Sequence, residues 1–315
     1  MERRGFLRAT TVGFALAAAS PAALGAEAAP GRAAARIPRI GVLGESNPLA
    51  WTFRSEAFDL ECRWAHDSGR RLGDLALELL TVDVDLIVAV GRRAALAAAG
   101  ATRSVPVVFV VADAPAAVRL SGANLTGLCL LSEAELAARR LGLLRMAVPR
   151  LARVGVLWNT DNATHDAALH DTRRVAESHG IEVCTAAASM ANRLDAAVGA
   201  LGAASVQACV VLPDALFSLH TERLVEMATA RGLPGVYPAG SFARAGGLMA
   251  LQGDSAAVIE DVSSMVRRIL AGVSPAALPI RRQGSLTLTV NRASAGVLGV
   301  ALPPALLRRA SAVIG

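Results

Sequence analysis

From residue 37 onward, hydrophobic and polar positions alternate between two kinds of segment. Short continuous apolar runs, of which Val107-Val108-Phe109-Val110-Val111 is the clearest, are bounded by Gly, Pro or polar residues and read as buried strands. The longer stretches between them are rich in Ala, Leu and Arg and space their apolar residues three and four apart, the period of a half-buried helix. Strands are predicted at 39–43, 58–64, 85–90, 105–111 and 125–130, and again at 153–158, 181–186, 207–212, 233–237 and 247–251. Helices are predicted at 72–80, 93–99, 133–146, 164–179, 193–201 and 220–231. A helix at 256–270, an extended stretch at 285–290 and a last segment at 302–313 complete the pattern. Continuous apolar strands separated by amphipathic helices predict an α/β fold, with parallel sheets covered by helices on both faces.

The pattern runs through twice. Arg39-Ile40-Gly41-Val42-Leu43 and Arg153-Val154-Gly155-Val156-Leu157 are near-identical openings, 114 residues apart. A repeat of that length predicts two similar Rossmann-like lobes rather than a solenoid, whose units are much shorter. The expected division is 37–124 with 254–279 for the N-terminal lobe, and 125–253 with 280–315 for the C-terminal lobe. Hinge crossings are expected near 124–128, 251–254 and 278–282. In open α/β sheets, ligands collect beyond the carboxyl ends of the strands. The residues there are Glu45-Ser46-Asn47, Gly91-Arg92-Arg93, Asp113, Asn159-Thr160-Asp161-Asn162, Asp214 and Tyr237. Most are hydrogen-bonding groups rather than good nucleophiles, which is the profile of a binding cleft.

Composition excludes several classes. With 53% hydrophobic and 18% charged residues, a chain of 315 residues is not disordered, and its length suits two domains. All of the basic residues counted are Arg and none is Lys, a uniform bias that carries no phosphate-site signal. Part of the net charge of +6 lies in the first residues, where Arg3, Arg4 and Arg8 against Glu2 contribute +2. Arg3-Arg4-Gly5-Phe6-Leu7-Arg8 precedes an apolar stretch and then Pro21 and small residues, the order of an export signal over 1–28. Its paired arginines resemble the twin-arginine signal, which predicts a periplasmic product. The apolar part is shorter than the roughly 20 residues of a spanning helix. Cys62, Cys129, Cys184 and Cys209 have no zinc-ligand spacing. Cys62, Cys184 and Cys209 lie in apolar strand-like runs and are expected to be buried free thiols.

Eight segments, in order, carry a resemblance. They are Asp85-Leu86-Ile87-Val88-Ala89-Val90-Gly91, Asn124-Leu125-Thr126-Gly127-Leu128, Ala147-Val148-Pro149, Val156-Leu157-Trp158-Asn159, Val211-Leu212-Pro213-Asp214, Leu233-Pro234-Gly235-Val236-Tyr237, Ala245-Gly246-Gly247-Leu248-Met249 and Leu298-Gly299-Val300-Ala301-Leu302-Pro303-Pro304. The chain resembles the substrate-binding proteins of ABC transporters with the type I periplasmic binding fold, in the branch of tryptophan- and tyrosine-type binders. The resemblance implies two lobes closing on a small, amino-acid-like ligand, with no cofactor, and a monomer that works with an ABC permease of the inner membrane. The ligand contacts it implies are Ser46, Asp113, Asn159, Asn162 and Asp214, with Tyr237 on the cleft wall. For four of these a plainer role stays open: Asn159, Asn162 and Asp214 as helix caps, and Tyr237 as packing. The chain departs from the family in three places, one of them a stretch between Asp113 and Asn124 that is shorter than usual. Arg92-Arg93 stands where members tend to have Thr-Pro, which either favours an anionic ligand or points to solvent. Only 45–57 separates the first two strands, room for a helix of about nine residues or ~14 Å, where a parallel crossover needs about a dozen.

Other functions have weaker support. The sequence contains no nucleophile elbow, phosphate-binding loop or dinucleotide fingerprint, so no catalytic residue is expected. His165 and His170 diverge on one helix and make no metal site. No basic recognition helix points to nucleic acid. A periplasmic sensor subunit for a membrane receptor, or a diverged member that has lost solute binding, are the alternatives to uptake.

Overall fold

The computed structural model describes residues 36–45, 58–65, 71–112 and 122–315. The expected signal segment, the short 46–57 connection and the candidate contacts Ser46 and Asp113 lie outside the described residues. Residues 37–315 form one compact unit.

The first half builds a six-stranded sheet. Its strands are β1 (Arg39–Gly44), β2 (Asp59–Trp64), β3 (Leu86–Val90), β4 (Val107–Val111), β5 (Leu125–Leu130) and the late β11 (Arg281–Gln283), in the order β11-β5-β4-β3-β1-β2. All neighbours pair in parallel. The inner strands β1, β3, β4 and β5 are buried, which is why they carry apolar runs. In β3, Ile87 and Ala89 pack under α1 (Leu72–Thr81) and α2 (Arg92–Ala101), while Leu86 and Val88 pack under α9 (Ser255–Leu270). The α9 stripe of Val258, Val262, Met265, Val266 and Ile269 follows the helical period, and Leu278 joins it on that face.

The second half repeats the plan with seven strands: β6 (Arg153–Trp158), β7 (Glu182–Ala187), β8 (Ala208–Val211), β9 (Gly235–Tyr237), β10 (Met249–Gly253), β12 (Leu286–Asn291) and β13 (Ala312–Ile314). Their order is β13-β12-β10-β9-β8-β6-β7. β12 pairs antiparallel with β10, and β13 follows β12. One face is covered by α3 (Glu133–Ala147), α4 (His165–Glu177), α10 (Arg292–Val297) and α11 (Pro304–Leu307). The other is covered by α5 (Leu194–Ala203), α7 (Thr221–Ala230) and α8 (Gly240–Arg244), with α6 (Ala215–Leu219) leading into α7.

The winding β2-β1-β3-β4-β5 in one sheet and β7-β6-β8-β9-β10 in the other is the same. The repeated glycine of the two openings has one physical role in both. A Cβ on Gly41 would lie 3.1 Å from Leu79 of α1, and one on Gly155 would lie 2.9 Å from Leu201 of α5. Each glycine admits a leucine from the covering helix against the strand.

The chain changes sheet three times, each time through one or two residues: 131–132 after β5, Asp254 after β10, and 284–285 after β11. Two of the crossings differ from expectation. Leu125–Leu130 belongs entirely to the first sheet, bonded to β4, and Arg281–Gln283 extends that sheet beside β5. Strand pairing across 107–130 therefore carries the first sheet past residue 124, and the tail returns to the second sheet only after Gln283.

The cysteines also divide differently. Cys129 and Cys209 are buried, Cys184 is intermediate, and Cys62 is exposed because β2 is an edge strand with a neighbour on one side only. Burial pushes the Cys209 thiol up to about 12. A maleimide reagent on the folded protein is expected to modify Cys62 first and to leave Cys129 and Cys209 unmodified until denaturant is added, read by mass spectrometry. Gly155→Val is expected to destabilise by about 1–3 kcal/mol through overpacking against Leu201, measured by urea unfolding.

Candidate functional site

Parallel pairing sends every strand of the first sheet to the same carboxyl edge, and β6 to β10 do likewise in the second. The crossings leave from the ends of β5, β10 and β11 and enter the other half within two residues, so these two edges are held next to each other. Among the described residues, Arg92, Arg93, Asn159, Asp161, Asn162 and Asp214 follow the strand ends of these edges.

On the second edge the loops after β6 and β8 are bound into one network. Asp214 caps α6 by accepting from the Leu216 N–H at 2.8 Å through Oδ1, which also takes the Asn159 amide at 3.1 Å. Its Oδ2 takes the Asn162 amide at 2.8 Å. The amide oxygens are engaged as well: Asn159 Oδ1 accepts from the Asp161 N–H, and Asn162 Oδ1 from the N–H and hydroxyl of Thr164. The structure thus brings Asn159, Asn162 and Asp214 together, but as a mutual brace. Asp214 already accepts three hydrogen bonds from the protein, two at Oδ1 and one at Oδ2. Asn162 forms a turn with Thr164 rather than capping α4, whose N-cap Thr164 makes no side-chain cap.

His165 completes the brace. Buried at 1% exposure, its Nδ1 accepts from the Asn159 N–H at 2.8 Å, so the proton resides on Nε2, which donates to the Pro213 carbonyl at 3.0 Å. The ring stacks on Phe217 with centroids 6.4 Å apart. The sequence analysis gave His165 no role beyond diverging from His170 on its helix. Its phase with Ala168, Leu169, Thr172 and Ala176, the buried stripe of α4, was the signal that marked it as inward.

Tyr237 does not line a cleft wall. It is 2% exposed in the core beneath α5 and α7, stacked on Phe242 at 5.2 Å. Gly235 and Gly247 flank the ring so closely that a Cβ on either would come within 2.7 Å of it. Burial, with Cys209 close by, raises its phenol well above the ordinary range. Alternation along β9 points Tyr237 to the helix-covered face, and packing is its role.

On the first edge, Gly91 adopts φ +94° at the start of α2, with no side-chain cap. The left-handed turn suits glycine and leaves the first-turn N–H groups facing outward. Arg93 pairs with Glu45 at the end of β1, 3.3 Å away. Arg92 is exposed and makes no ion pair among the described residues. No group of three or more His, Cys, Asp or Glu that could hold a metal occurs among the described residues.

Two α/β halves with adjoining carboxyl edges that carry polar groups, joined by three short crossings, define a two-lobed binding protein. The family model described as ABC transporter substrate binding protein matches residues 56–314, and the chain belongs to that family. The family is one of solute-binding proteins rather than enzymes; its members bind small ligands outside the cytoplasm and work with ABC permeases. Among curated proteins none matches the chain. Solved structures share the fold. A conserved domain protein from Vibrio cholerae is 21% identical, with TM-score 0.67, covering 88% of this chain and 100% of the other. An ABC domain in complex with L-Trp from Streptococcus pneumoniae is 21% identical, with TM-score 0.66 and coverages of 88% and 99%. The ligand-free, open structure of a substrate binding protein with adhesive properties from Clostridium difficile is 19% identical, with TM-score 0.64 and coverages of 88% and 99%.

Asp214→Ala removes a helix cap and releases both asparagines, and is expected to destabilise by about 1–3 kcal/mol. Urea unfolding measures the loss. His165→Ala is expected to give a similar loss, because it leaves the buried Asn159 N–H unpaired.

Proposed function

We propose that this chain is the periplasmic solute-binding component of an ABC uptake transporter, exported by the twin-arginine route. It captures a small polar, amino-acid-like ligand between two lobes, approximately 37–131 with 254–284 and 132–253 with 285–315. The observation that carries this reading is the asymmetry of the two adjoining edges. One presents Arg92, an exposed guanidinium without an ion-pair partner among the described residues, beside the uncapped start of α2. The other presents a loop held rigid by Asp214 and His165, with Asp161 exposed on it.

A carboxylate-bearing ligand would place its anion at Arg92 and the α2 N-terminus. Its ammonium would meet Asp161, exposed on the loop that Asp214 braces. Ser46 and Asp113 follow the first and fourth strands and complete the contact set of this reading, in which Asn159 and Asn162 shape the loop. The neighbour that holds L-Trp supports the amino-acid class. Ligand bridges both lobes only when they close, so it stabilises closure by its differential affinity for that state.

A thermal-shift screen of the protein from Glu27 onward against amino acids, small carboxylates and nucleobases tests the proposal. A true ligand at ~100 times its dissociation constant adds roughly 2.7 kcal/mol, several degrees in midpoint. The expected outcome is a selective shift by amino acids that Arg92→Ser abolishes without lowering the ligand-free midpoint. No shift with any compound, from a protein that melts cooperatively, overturns solute capture.

A further inference from the structure

The three crossings run side by side, and one carboxylate ties two of them together. β5 and β11 pair in parallel with Leu130 opposite Gln283, so the first and third crossings leave the first sheet together. The Asp254 N–H donates to the Ser285 carbonyl at 3.1 Å, which joins the second crossing to the third. Glu135 lies in the first turn of α3, on the second-sheet side. Its Oε2 accepts from the N–H and the hydroxyl of Ser132, both at 3.0 Å, closing a capping box at the first crossing. Its Oε1 pairs with Arg282, which belongs to β11 of the first sheet.

The strand that carries Arg282 is itself anchored. Asp261 of α9 accepts from Arg281 at 2.6 Å and from Gln283 at 2.8 Å, and the Gln283 amide oxygen accepts from the Ser285 N–H at 2.8 Å. Both ends of the Glu135–Arg282 pair are therefore fixed, one to the second half through a helix cap and the other to the first half through a sheet edge. The Ser132 bonds and the Arg282 pair hold the Glu135 carboxyl below the usual carboxylate range. An exposed ion pair between free side chains contributes little. Here the carboxylate is already oriented by Ser132, so less rotamer freedom is lost when Arg282 joins it.

One turn further into α3 the charges are less well served. Arg140 is 4% exposed and lies 3.5 Å from Glu133 Oε2, yet its Nε and Nη1 and that oxygen have no hydrogen-bond partner. Under-satisfied buried charge of this kind costs stability within α3.

We propose that the Glu135–Arg282 pair is a pin across the hinge that fixes the angle at which α3 leaves the first sheet, and so sets the resting distribution of lobe separations. Glu135 and Arg282 are positioning residues in this role, and neither touches the ligand. The pin rests on the two-lobed reading for its consequence, but its test needs no ligand.

Spin labels on native Cys62, in β2, and on a Met190→Cys substitution, in a Cys184→Ala background, report the distance between the halves by electron–electron resonance. Glu135→Gln keeps an acceptor for Ser132 while removing the charge, and Arg282→Gln removes its partner. The expected result is that each variant keeps its circular dichroism and melts within a few degrees of the parent. Each should also change the ratio of lobe-separation populations about three- to fivefold, with the double variant no different from either single one. Glu260→Gln, which removes an ion pair within α9, should leave the distribution unchanged. Distributions of Glu135→Gln and Arg282→Gln that superimpose on the parent, or an equal change in Glu260→Gln, overturn the pin. A failed ligand screen with changed distributions would sink solute capture and leave the pin standing.

Discussion

Parallel strand pairing is the constraint on which the rest of the molecule depends. A parallel neighbour can be reached only by carrying the chain back over a face of the sheet, so each half becomes a three-layer unit with every carboxyl end on one edge. That single requirement explains the unbroken apolar strands, the paired helix layers and the collection of polar loops at one edge of each sheet. It also explains the glycines at 41 and 155. Where a covering helix lies directly on a central strand, Leu79 and Leu201 need the space that a side chain on the strand would fill. Among the described strands, only β12 and its parallel neighbour β13 run against the rest. They do so because the tail enters the second sheet at the edge where β10 leaves it.

The same edge serves two purposes with opposite demands. A binding loop must present groups to a ligand, and a hinge must hold geometry while permitting rotation. In the second half the balance favours rigidity: Asp214, Asn159, Asn162 and His165 direct their hydrogen bonds at one another. A brace of this kind reduces the ordering cost when a ligand arrives, since the loop is already in place. At the crossings, Glu135, Asp261 and Gln283 do comparable work between segments that have only one or two residues of their own to fold.

The fold was largely legible because periodicity is local. Ten strands in two passes, the helices between them and the doubled Arg-x-Gly-Val-Leu opening all appear in the structure, with boundaries shifted by a residue or two. The short helices Ala215–Leu219 and Gly240–Arg244 and the strands Arg281–Gln283 and Ala312–Ile314 were not anticipated. Each has five residues or fewer, too short to display a period. Cys62 and Tyr237 show the complementary failure. An apolar run looks alike in a central strand and an edge strand, so Cys62 was expected inside and lies outside. Tyr237, at the end of its strand, looks placed for a ligand, yet the phase of β9 turns it under α5 and α7.

The sequence by itself determined the class of fold, the doubling and the edge on which polar residues gather, because these follow from hydrophobic spacing and from the rule that parallel strands share a carboxyl end. It also carried the family, through eight short segments in order. Only the tertiary structure decided which of those polar residues are free. Asp214 and Arg92 look equally available as letters, but Asp214 is 55 and 52 residues from the asparagines that occupy it, while Arg92 has no ion-pair partner among the described residues. Glu135 meets Arg282 across 147 residues. No local pattern encodes a contact at that separation, since it arises only when two sheets are wound and three crossings bring their edges together.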